Sequence, residues 1–406
     1  MASELSGQTL VRQEPTTIWN RMFITLFFTN MVFNMGQNMS NSLLSIYANS
    51  LGASASAIGL VGGTFAISSI LFRLISAPVM DTYNRKVIVV FAALTLSGAF
   101  WGFSMSGSLT ALMGFRLMQG AGMAFGNACC LAMVSEMIPK DKYKSGIGYY
   151  SLAQAIAQAT GPSTGLWLVD RMGYRTTYSV TACLMILAAV LASRIRVNYQ
   201  RTRALKITFN NVLAKEAALP AAVMLLTITG TSAVNSFLVL YARGQGLGAN
   251  IGLYFTVSAG AMLVLRPVIG KLGDRFGLVR VMIPALSCQI VAFYIISIST
   301  TLPGFLLAAL VSSISSSACM PSMQALSMMS ASPQRRGAVS STNYIGMDLG
   351  MMLGPIIAGN VVQAVGFVYM YRIMVIPFII AISIIFGFRN MIGRIEEDFA
   401  PGKAES

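Results

Sequence analysis

Apolar runs of about twenty residues recur along the whole chain, with short polar connections between them. A helix of roughly 20 apolar residues is long enough to cross the hydrocarbon core of a bilayer. The pattern therefore predicts an all-α membrane protein with twelve transmembrane helices. The predicted helices are 19–47, 56–80, 86–106, 109–134, 145–169, 174–195, 217–242, 249–272, 279–300, 303–330, 337–363 and 367–389.

The composition excludes a soluble globular protein. The chain of 406 residues is 55% hydrophobic and only 10% charged, whereas soluble domains carry roughly 25% charged residues. It contains no histidine and no CxxC pair, so histidine catalysis, histidine metal sites and a disulfide framework are excluded, and neither a metal nor a cofactor is expected. All five cysteines lie in apolar runs, where we expect them to be small packing residues: Cys129, Cys130, Cys183, Cys288 and Cys319.

The positive charge is distributed unevenly between the two sides of the predicted membrane domain. Of the 28 Lys and Arg residues, 21 fall on the side that carries both termini, and four fall on the other side. Cytoplasmic loops of membrane proteins are enriched in Lys and Arg. Both termini are therefore predicted to be cytoplasmic in a multi-pass protein of the cell (inner or plasma) membrane. This distribution accounts for the net charge of +15 without a nucleic-acid partner.

The second half of the chain repeats residues of the first half at a nearly constant offset. With an offset of 193, Arg73 falls on Arg266 and Asp81 falls on Asp274. Six helices separate the copies, so the repeat predicts two parallel six-helix halves related by a pseudo-two-fold axis along the membrane normal. Further matches at offsets of 193 or 194 are Gly161-Pro162 with Gly354-Pro355, Gly173 with Gly366, Asn41-Ser42 with Asn235-Ser236, and Tyr47-Ala48 with Tyr241-Ala242.

The longest connection lies near residues 196–216 and is the predicted joint between the halves. The first residues are polar and lack the apolar core of a signal peptide, so no cleaved targeting segment is expected. The predicted organisation is a cytoplasmic tail (1–18), a first six-helix half (19–195), a cytoplasmic inter-half loop (196–216), a second six-helix half (217–389) and a cytoplasmic tail (390–406).

Local motifs resemble those of the major facilitator superfamily. The connection Asp81-Thr-Tyr-Asn-Arg85-Lys86 is similar to the family loop signature Gly-x-x-x-Asp-Arg-x-Gly-Arg-Arg/Lys, and Gly270-Lys-Leu-Gly-Asp274-Arg275 resembles the start of that signature more closely. The fourth helix carries Arg116-Leu-Met-Gln119-Gly120-Ala-Gly122, which is similar to the family pattern Arg-x-x-Gln-Gly-x-Gly. The resemblance covers about residues 19–390 and implies the major facilitator fold.

The fifth helix adds a signature of one branch of that family. Its Gly161-Pro162-x-x-Gly165 segment is similar to the Gly/Pro-rich motif of the proton antiporters, the twelve-helix exporters of drugs and metabolites. Ala157 and Leu166 replace glycines of that motif. Because proline removes a backbone donor and glycine allows close packing, helix kinks are predicted at Gly161-Pro162 and at Gly354-Pro355.

The loop motif leads to a gating hypothesis. The resemblance implies that Asp81 accepts hydrogen bonds from the positive end of the eleventh helix, near Gly337. Arg85 can pair with Glu136 or Asp141, and such contacts would hold the cytoplasmic side shut until the protein opens. Solvated loop charges without this role are the alternative. The predicted gating residues are Asp81, Arg85, Glu136, Asp274 and Arg275.

Charges inside the predicted helices are costly in a bilayer and mark candidate functional residues. Arg73 and Arg266 lie about 12 Å inside the cytoplasmic boundary, and ion pairing or snorkelling is the alternative explanation for both. Arg116 matches the family residue that is tied to proton coupling. Asp348 lies about 18 Å beyond Arg336 along its helix and is the only acid deep in the membrane.

Asp348 is the predicted proton-coupling residue, with Arg73 or Arg116 tuning it. A buried carboxyl group holds its proton more tightly, and a nearby cation loosens it. A site that alternates between such surroundings would bind a proton in one state and release it in the other. The alternative is a permanent ion pair between Asp348 and Arg73.

The resemblance implies that the first, fourth, seventh and tenth helices line a central cavity, and these helices are rich in polar residues here. Asn34, Asn38 and Asn41 recur at helical spacing and form one stripe. A stripe of this kind can also hold helices together without binding a ligand. The predicted substrate-binding residues are Asn34, Gln37, Asn38, Asn41, Arg116, Gln119, Thr231, Asn235, Ser313 and Ser316.

These patterns predict a monomeric secondary transporter that exports a small organic solute by proton antiport and alternating access. The cavity helices contain no acid, which favours a neutral, zwitterionic or anionic solute over a polycation. The expected partners are the small-molecule substrate, protons and the lipid bilayer. An uptake symporter or a uniporter on the same fold is the alternative. A membrane enzyme or a non-transporting sensor is disfavoured, since the chain shows neither paired catalytic groups nor a large soluble extension.

Overall fold

The computed structural model describes residues 17–138, 143–195, 214–330 and 336–399. Within these ranges the regular secondary structure is helical and no strand occurs. The helices are α1 Arg21–Ser50, α2 Ala55–Thr82, α3 Arg85–Met105, α4 Leu109–Met137, α5 Tyr143–Ser193, α6 Ala218–Gly244, α7 Gly252–Phe276, α8 Leu278–Ile298, α9 Leu302–Met329, α10 Arg336–Ile373, α11 Ile376–Gly387 and α12 Arg389–Phe399.

Nine helical stretches of the described chain are long and apolar enough to cross a membrane. Two of them contain 45 and 46 residues, and straight helices of that length would measure about 68 Å, twice the ~30 Å hydrocarbon core. Non-helical glycines interrupt both stretches, Gly173 at φ 75° and Gly366 at φ 82°. Each of these two stretches therefore provides two crossings, so the nine stretches correspond to eleven crossings. The 30-residue, asparagine-rich α1 adds one more, which agrees with the twelve predicted helices.

Polar residues determine where the helices of the first half begin. The side chain of Asn20 accepts a hydrogen bond from the Phe23 backbone N–H at the start of α1, and Ser54 accepts one from Ala57 at the start of α2. Short polar side chains at this position satisfy backbone donors that the first helical turn leaves unpaired. Ser108 caps α4 in the same way.

The internal repeat is visible in three dimensions. The Tyr47 hydroxyl donates to the Phe103 carbonyl at 3.1 Å, and Tyr241, its counterpart at an offset of 194, donates to the Ser297 carbonyl at 3.4 Å. The ring centres of Tyr47 and Tyr178 lie 5.4 Å apart, and those of Tyr241 and Tyr371 lie 5.3 Å apart. The same aromatic cluster thus ties the first helix to the sixth crossing in each half.

The two halves meet chiefly along two pairs of helices, α2 with α10 and α5 with α7, and α1 also contacts α6. We call the face at which α1 begins and α2 ends the basic face, and the other the opposite face. Near the opposite face Gly59 lies against Pro355 and Gly359, and Gly252 lies against Ser163. Small residues at these crossings let the two backbones approach closely, as is typical of helix pairs in membranes.

The segment predicted as a tail from residue 390 contains a helix, α12. Ile392 in this helix is buried, and the Glu396 carboxylate accepts a hydrogen bond of 2.9 Å from the Leu278 N–H at the start of α8. The carboxylate at the positive end of α8 explains why α12 docks there. Residues 196–213 of the predicted inter-half loop lie outside the described chain.

Candidate functional site

Arg116 lies at the centre of a buried polar network in the first half. Its Nη1 donates to the Gln119 side chain at 2.7 Å and to the Asn41 side chain at 3.4 Å. Its Nε and Nη2 donate to the backbone carbonyls of Val61 and Gly62 on α2, at 3.3 and 3.0 Å. The network joins α1, α2 and α4 within the first half.

The positive charge of Arg116 is balanced by neutral groups alone. No carboxylate of the described residues lies within 4.0 Å of its guanidinium, and the residue is only 5% exposed. The Phe65 ring lies 5.1 Å from Cζ and adds a cation–π contact. A buried cation with only dipolar partners is costly for stability, so an anionic or polar ligand that reaches it would gain a strong partner.

The polar stripe of α1 divides into two groups. Gln37 is buried and accepts a hydrogen bond of 2.9 Å from Gln119, which brings it into the Arg116 network. Asn34 donates to Asn30, and Asn38 donates to the Asn34 carbonyl at 2.8 Å, so both use a donor within their own helix. Substrate binding by Asn34 and Asn38 stays a prediction.

The second half presents its polar residues differently. Asn235 on α6 is exposed in the structure, as is its counterpart Asn41 on α1, and these two side chains are the most accessible of the predicted set. Ser313 is fully buried and hydrogen-bonds to Ser258 on α7. Thr231 and Ser316 are half-buried, and the Thr231 hydroxyl donates to carbonyls of its own helix.

Arg73 and Asp348 form an ion pair between the halves. Arg73 Nε lies 2.6 Å from Asp348 Oδ2 and Nη2 lies 3.3 Å from Oδ1, a bidentate arrangement. The Asp348 side chain is 2% exposed, whereas that of Arg73 is 21% exposed. The Tyr344 ring lies 5.1 Å from the Arg73 guanidinium carbon. The structure therefore brings two of the predicted coupling residues into direct contact.

A cavity of ≈ 320 Å³ opens beside this ion pair. Tyr344, which stacks on Arg73, and Asn343 line it from α10. Gln324 and Met328 line it from α9, close to the end of that helix at the basic face. The Oδ1 atom of Asn343 is buried and has no hydrogen-bond partner in the described chain.

Further contacts between the halves cluster near the opposite face. Asp170 on α5 pairs with Arg243 on α6. Ser56 on α2 bonds to Asn360 on α10 at 2.7 Å, and Thr256 on α7 donates to the Ala159 carbonyl on α5 at 2.6 Å. The sequence pattern gives no sign of these contacts, because each residue lies in an ordinary polar position of its own helix. Together they join the halves from the opposite face to the Arg73–Asp348 pair.

The gating and kink residues remain predictions. The side chains of Asp81, Glu136 and Asp274 lie outside the described part of the structure, whereas Arg85 Nε donates to the Met80 carbonyl at 3.3 Å. Arg275 stacks on Phe276 at 5.2 Å. The backbone is helical through Gly161-Pro162 and Gly354-Pro355, which lie inside α5 and α10, and its non-helical residues are Gly173 and Gly366.

Comparison with known proteins gives one consistent result. The family model described as Major Facilitator Superfamily matches residues 26–249 and 220–402. The chain is 27% identical over 381 residues to multidrug resistance protein MdtG of Enterobacter lignolyticus, covering 88% of each chain. It is 23% identical to the multi-drug resistance efflux pump PmrA of Streptococcus pneumoniae, covering 86% of this chain and 91% of that protein.

A solved structure shares the fold at low sequence identity. It is a bacterial homolog of the human lysosomal transporter Spinster, crystallised in an inward-facing, unoccupied conformation. The two structures superpose with a TM-score of 0.76 at 16% identity, covering 94% of this chain and 98% of the other. The predicted all-α membrane fold of the major facilitator type is thereby confirmed.

Proposed function

The chain belongs to the Major Facilitator Superfamily, and from this we propose that it exports a small organic solute across the cell membrane by proton antiport and alternating access. The observation that carries the proposal is the Arg73–Asp348 ion pair. It links the two halves at a depth where a charge is retained only for a strong reason. A carboxylate between two moving bodies is the group that a proton can neutralise in one state and leave in another.

The arrangement of contacts supports a state that opens toward the cytoplasm. Near the opposite face the halves are joined by Ser56–Asn360, Ser163–Thr256 and the Asp170–Arg243 ion pair. Toward the basic face lies the cavity beside Tyr344. With the basic face in the cytoplasm, as the Lys and Arg distribution favours, this is the state that takes up a cytoplasmic solute before export.

Asp348 would couple the proton to this movement. In the present state its carboxylate is held by Arg73. When α2 and α10 separate on the rocking of the halves, the carboxyl group would lose its cation and accept a proton from outside. Return to the present state would re-form the pair and release the proton. In this mechanism the Arg73–Asp348 ion pair is broken and re-formed once in each transport cycle.

The Arg116 network is the proposed binding region. Arg116, Gln37, Gln119 and Asn41 offer one cationic and several amide groups, and Asn235 of the second half is exposed. Apart from Glu136 at the end of α4, the helices α1, α4, α6 and α9 contain no acid. Such a site suits a neutral, zwitterionic or anionic solute. The multidrug efflux names of the MdtG and PmrA relatives support export as the direction.

Flux into proteoliposomes tests the mechanism. A panel of one organic carboxylate, one zwitterion, one neutral dye and one cationic dye would be offered to vesicles with either an acidic lumen or an acidic exterior. Antiport predicts accumulation in vesicles with an acidic lumen, above protein-free vesicles. Accumulation only with an acidic exterior would favour the uptake symporter, and equilibration without accumulation would favour the uniporter.

A further inference from the structure

Arg266 on α7 is the repeat counterpart of Arg73, but its surroundings differ at two positions. Subtracting the repeat offset of 193 from Asp348 gives Ala155 on α5, and subtracting it from Tyr344 gives Ser151. The first half therefore supplies no carboxylate and no aromatic ring at the positions where α10 supplies both to Arg73. Among the described residues, none provides a carboxylate within 4.0 Å of Arg266.

The missing side chains leave a space. A small cavity of ≈ 50 Å³ lies between α5 and α7, and Arg266, Ala155 and Ser151 line it. Gln154 and Gln158, one helical turn apart on α5, line the same cavity and are exposed in the structure. Ala155 thus stands opposite Arg266 across an opening where its counterpart Asp348 forms an ion pair with Arg73.

Exposed apolar side chains adjoin these polar groups along both helices. Leu263 lines the cavity and is 42% exposed. Ile156, the residue after Ala155 on α5, is 43% exposed, and Val264, the residue after Leu263 on α7, is 70% exposed. Arg266 lies ten residues before the end of α7 at Phe276, about 15 Å along the helix, and is therefore inside the membrane layer. A cation at this depth is costly unless it meets an anion.

We propose that the groove between α5 and α7 binds an amphipathic organic anion whose carboxylate takes the place of the absent Asp348 equivalent and pairs with Arg266. The Gln154 and Gln158 amides donate to the same carboxylate, and the apolar part of the ligand lies along Leu263, Val264 and Ile156. The inference rests on the proposed function only in regarding this anion as a cargo of the transporter. Binding itself requires no transport.

Equilibrium binding to the purified protein in phosphatidylcholine nanodiscs tests the site. The probe is octanoate, with octanol and octylammonium as ligands of matched chain length, and protein-free nanodiscs give the background. The parent protein is expected to bind octanoate above background and to bind neither matched ligand. Arg266→Gln is expected to weaken octanoate binding at least tenfold. Lys271→Gln removes a cation from the same helix outside the groove and is expected to bind octanoate as the parent does.

Ala155→Asp is the second arm, because it restores the carboxylate that the repeat lacks. The new Asp is expected to pair with Arg266, to abolish octanoate binding and to leave the melting temperature at or above that of the parent. The proposal would be overturned if Arg266→Gln and Ala155→Asp both bound octanoate with the affinity of the parent protein. If Ala155→Asp does not fold, the proposal is decided by comparing the octanoate affinities of Arg266→Gln and Lys271→Gln.

The lipid itself is the other source of an anionic group. The measurements are repeated in nanodiscs that contain phosphatidylglycerol. The proposal predicts that the difference in octanoate affinity between parent and Arg266→Gln persists in them. Loss of that difference would mean that lipid headgroups occupy Arg266, and it would overturn the assignment to an organic carboxylate. None of these assays involves flux, so a failure of the export mechanism would leave their results unchanged.

Discussion

Arg116 shows how a buried charge can be held without a counter-ion. Its donors reach two backbone carbonyls of α2 and two side-chain carbonyls, and the planar guanidinium is shaped to serve all of them at once. A lysine carries the same charge but has a single ammonium group, which cannot span Val61, Gly62 and Gln119 together. The geometry of the donors therefore matters here as well as the charge.

Replacing Arg116 by Lys should destabilise the protein by ~1.5–3 kcal/mol, the contribution of a hydrogen bond to a charged group. The expected observation is a lower melting temperature in detergent together with weaker solute binding. Arg171→Lys is the matched control, because Arg171 stacks on the exposed Trp167 and makes no buried network. Equal melting temperatures for Arg116→Lys and the parent would contradict the role of the network.

The Asp348 side chain is buried, whereas that of Arg73 is partly exposed to water. This difference determines how much stability the protein should lose when Asp348 is replaced. Breaking a fully buried ion pair typically costs about 3–5 kcal/mol. Because a fifth of the Arg73 side chain is exposed (21%), water can replace the lost carboxylate. Asp348→Asn is therefore expected to fold, to bind solute and to exchange it across the membrane, but to lose accumulation driven by a pH gradient.

These assays distinguish the two explanations of Asp348, a structural ion pair and a proton-coupling residue. A purely structural ion pair predicts that Asp348→Asn loses thermal stability while the remaining folded protein accumulates solute as before. The coupling explanation predicts parental exchange and no gradient-driven accumulation. Full accumulation by the variant at parental expression would contradict the coupling role.

At the scale of helices, the two halves make close backbone contact near the opposite face. Gly59 on α2 faces Pro355 and Gly359 on α10, and a Cβ atom on Gly59 would overlap the Pro355 carbonyl oxygen. A larger residue at this position must keep the two helices apart. The opposite face would then remain open, since α2 and α10 belong to different halves.

Gly59→Leu should therefore shift the protein toward the state that opens to the opposite face. The measurement is the labelling rate of a cysteine introduced at Asn235, in a background without the five native cysteines, by a membrane-impermeant reagent added from the opposite side. Labelling is expected to increase at least several-fold. Gly244→Leu is the control, because a Cβ atom at Gly244 meets no atom within 4 Å. An unchanged rate for Gly59→Leu would argue against this crossing as the closure point.

Hydrophobic patterning predicted the membrane helices well, because burial in lipid requires long apolar runs. It did not predict α12, because this helix depends on contacts that only the folded protein contains. Ile392 is buried there, and Glu396 accepts a hydrogen bond from the start of α8. The predicted twelfth helix, 367–389, is divided between the end of α10 and α11. Such boundaries depend on packing, which hydropathy does not record.

For the whole molecule, the internal repeat was the most informative signal in the sequence. An offset maintained over many residues indicates two copies of one unit, so the two-half architecture could be predicted. The repeat does not say how the copies face each other, and contacts such as Asp170–Arg243 and Ser56–Asn360 therefore could not be predicted. The contact between Arg73 and Asp348 could be anticipated, since both are rare charges in apolar helices.

The departures from the repeat are as informative as the matches. Arg116 has Ala309 as its counterpart, so the buried cation of the first half has no equivalent in the second. Asp348 has Ala155 as its counterpart, so the acid of the second half has no equivalent in the first. The two halves thus share one scaffold and divide the charged groups between them: the first carries Arg116, the proposed partner of the solute, and the second carries Asp348, the proposed partner of the proton.

The most direct test of proton antiport is the movement of protons that solute itself causes. Proteoliposomes containing a lumenal pH dye would start at equal pH on both sides, and the panel compound that accumulates most would be added outside. Exchange of solute for protons predicts that the lumen becomes alkaline in parallel with solute uptake, and that Asp348→Asn vesicles show solute equilibration without a pH change. Acidification of the lumen by the parent, no pH change with the parent, or parental alkalinisation with Asp348→Asn would contradict the mechanism.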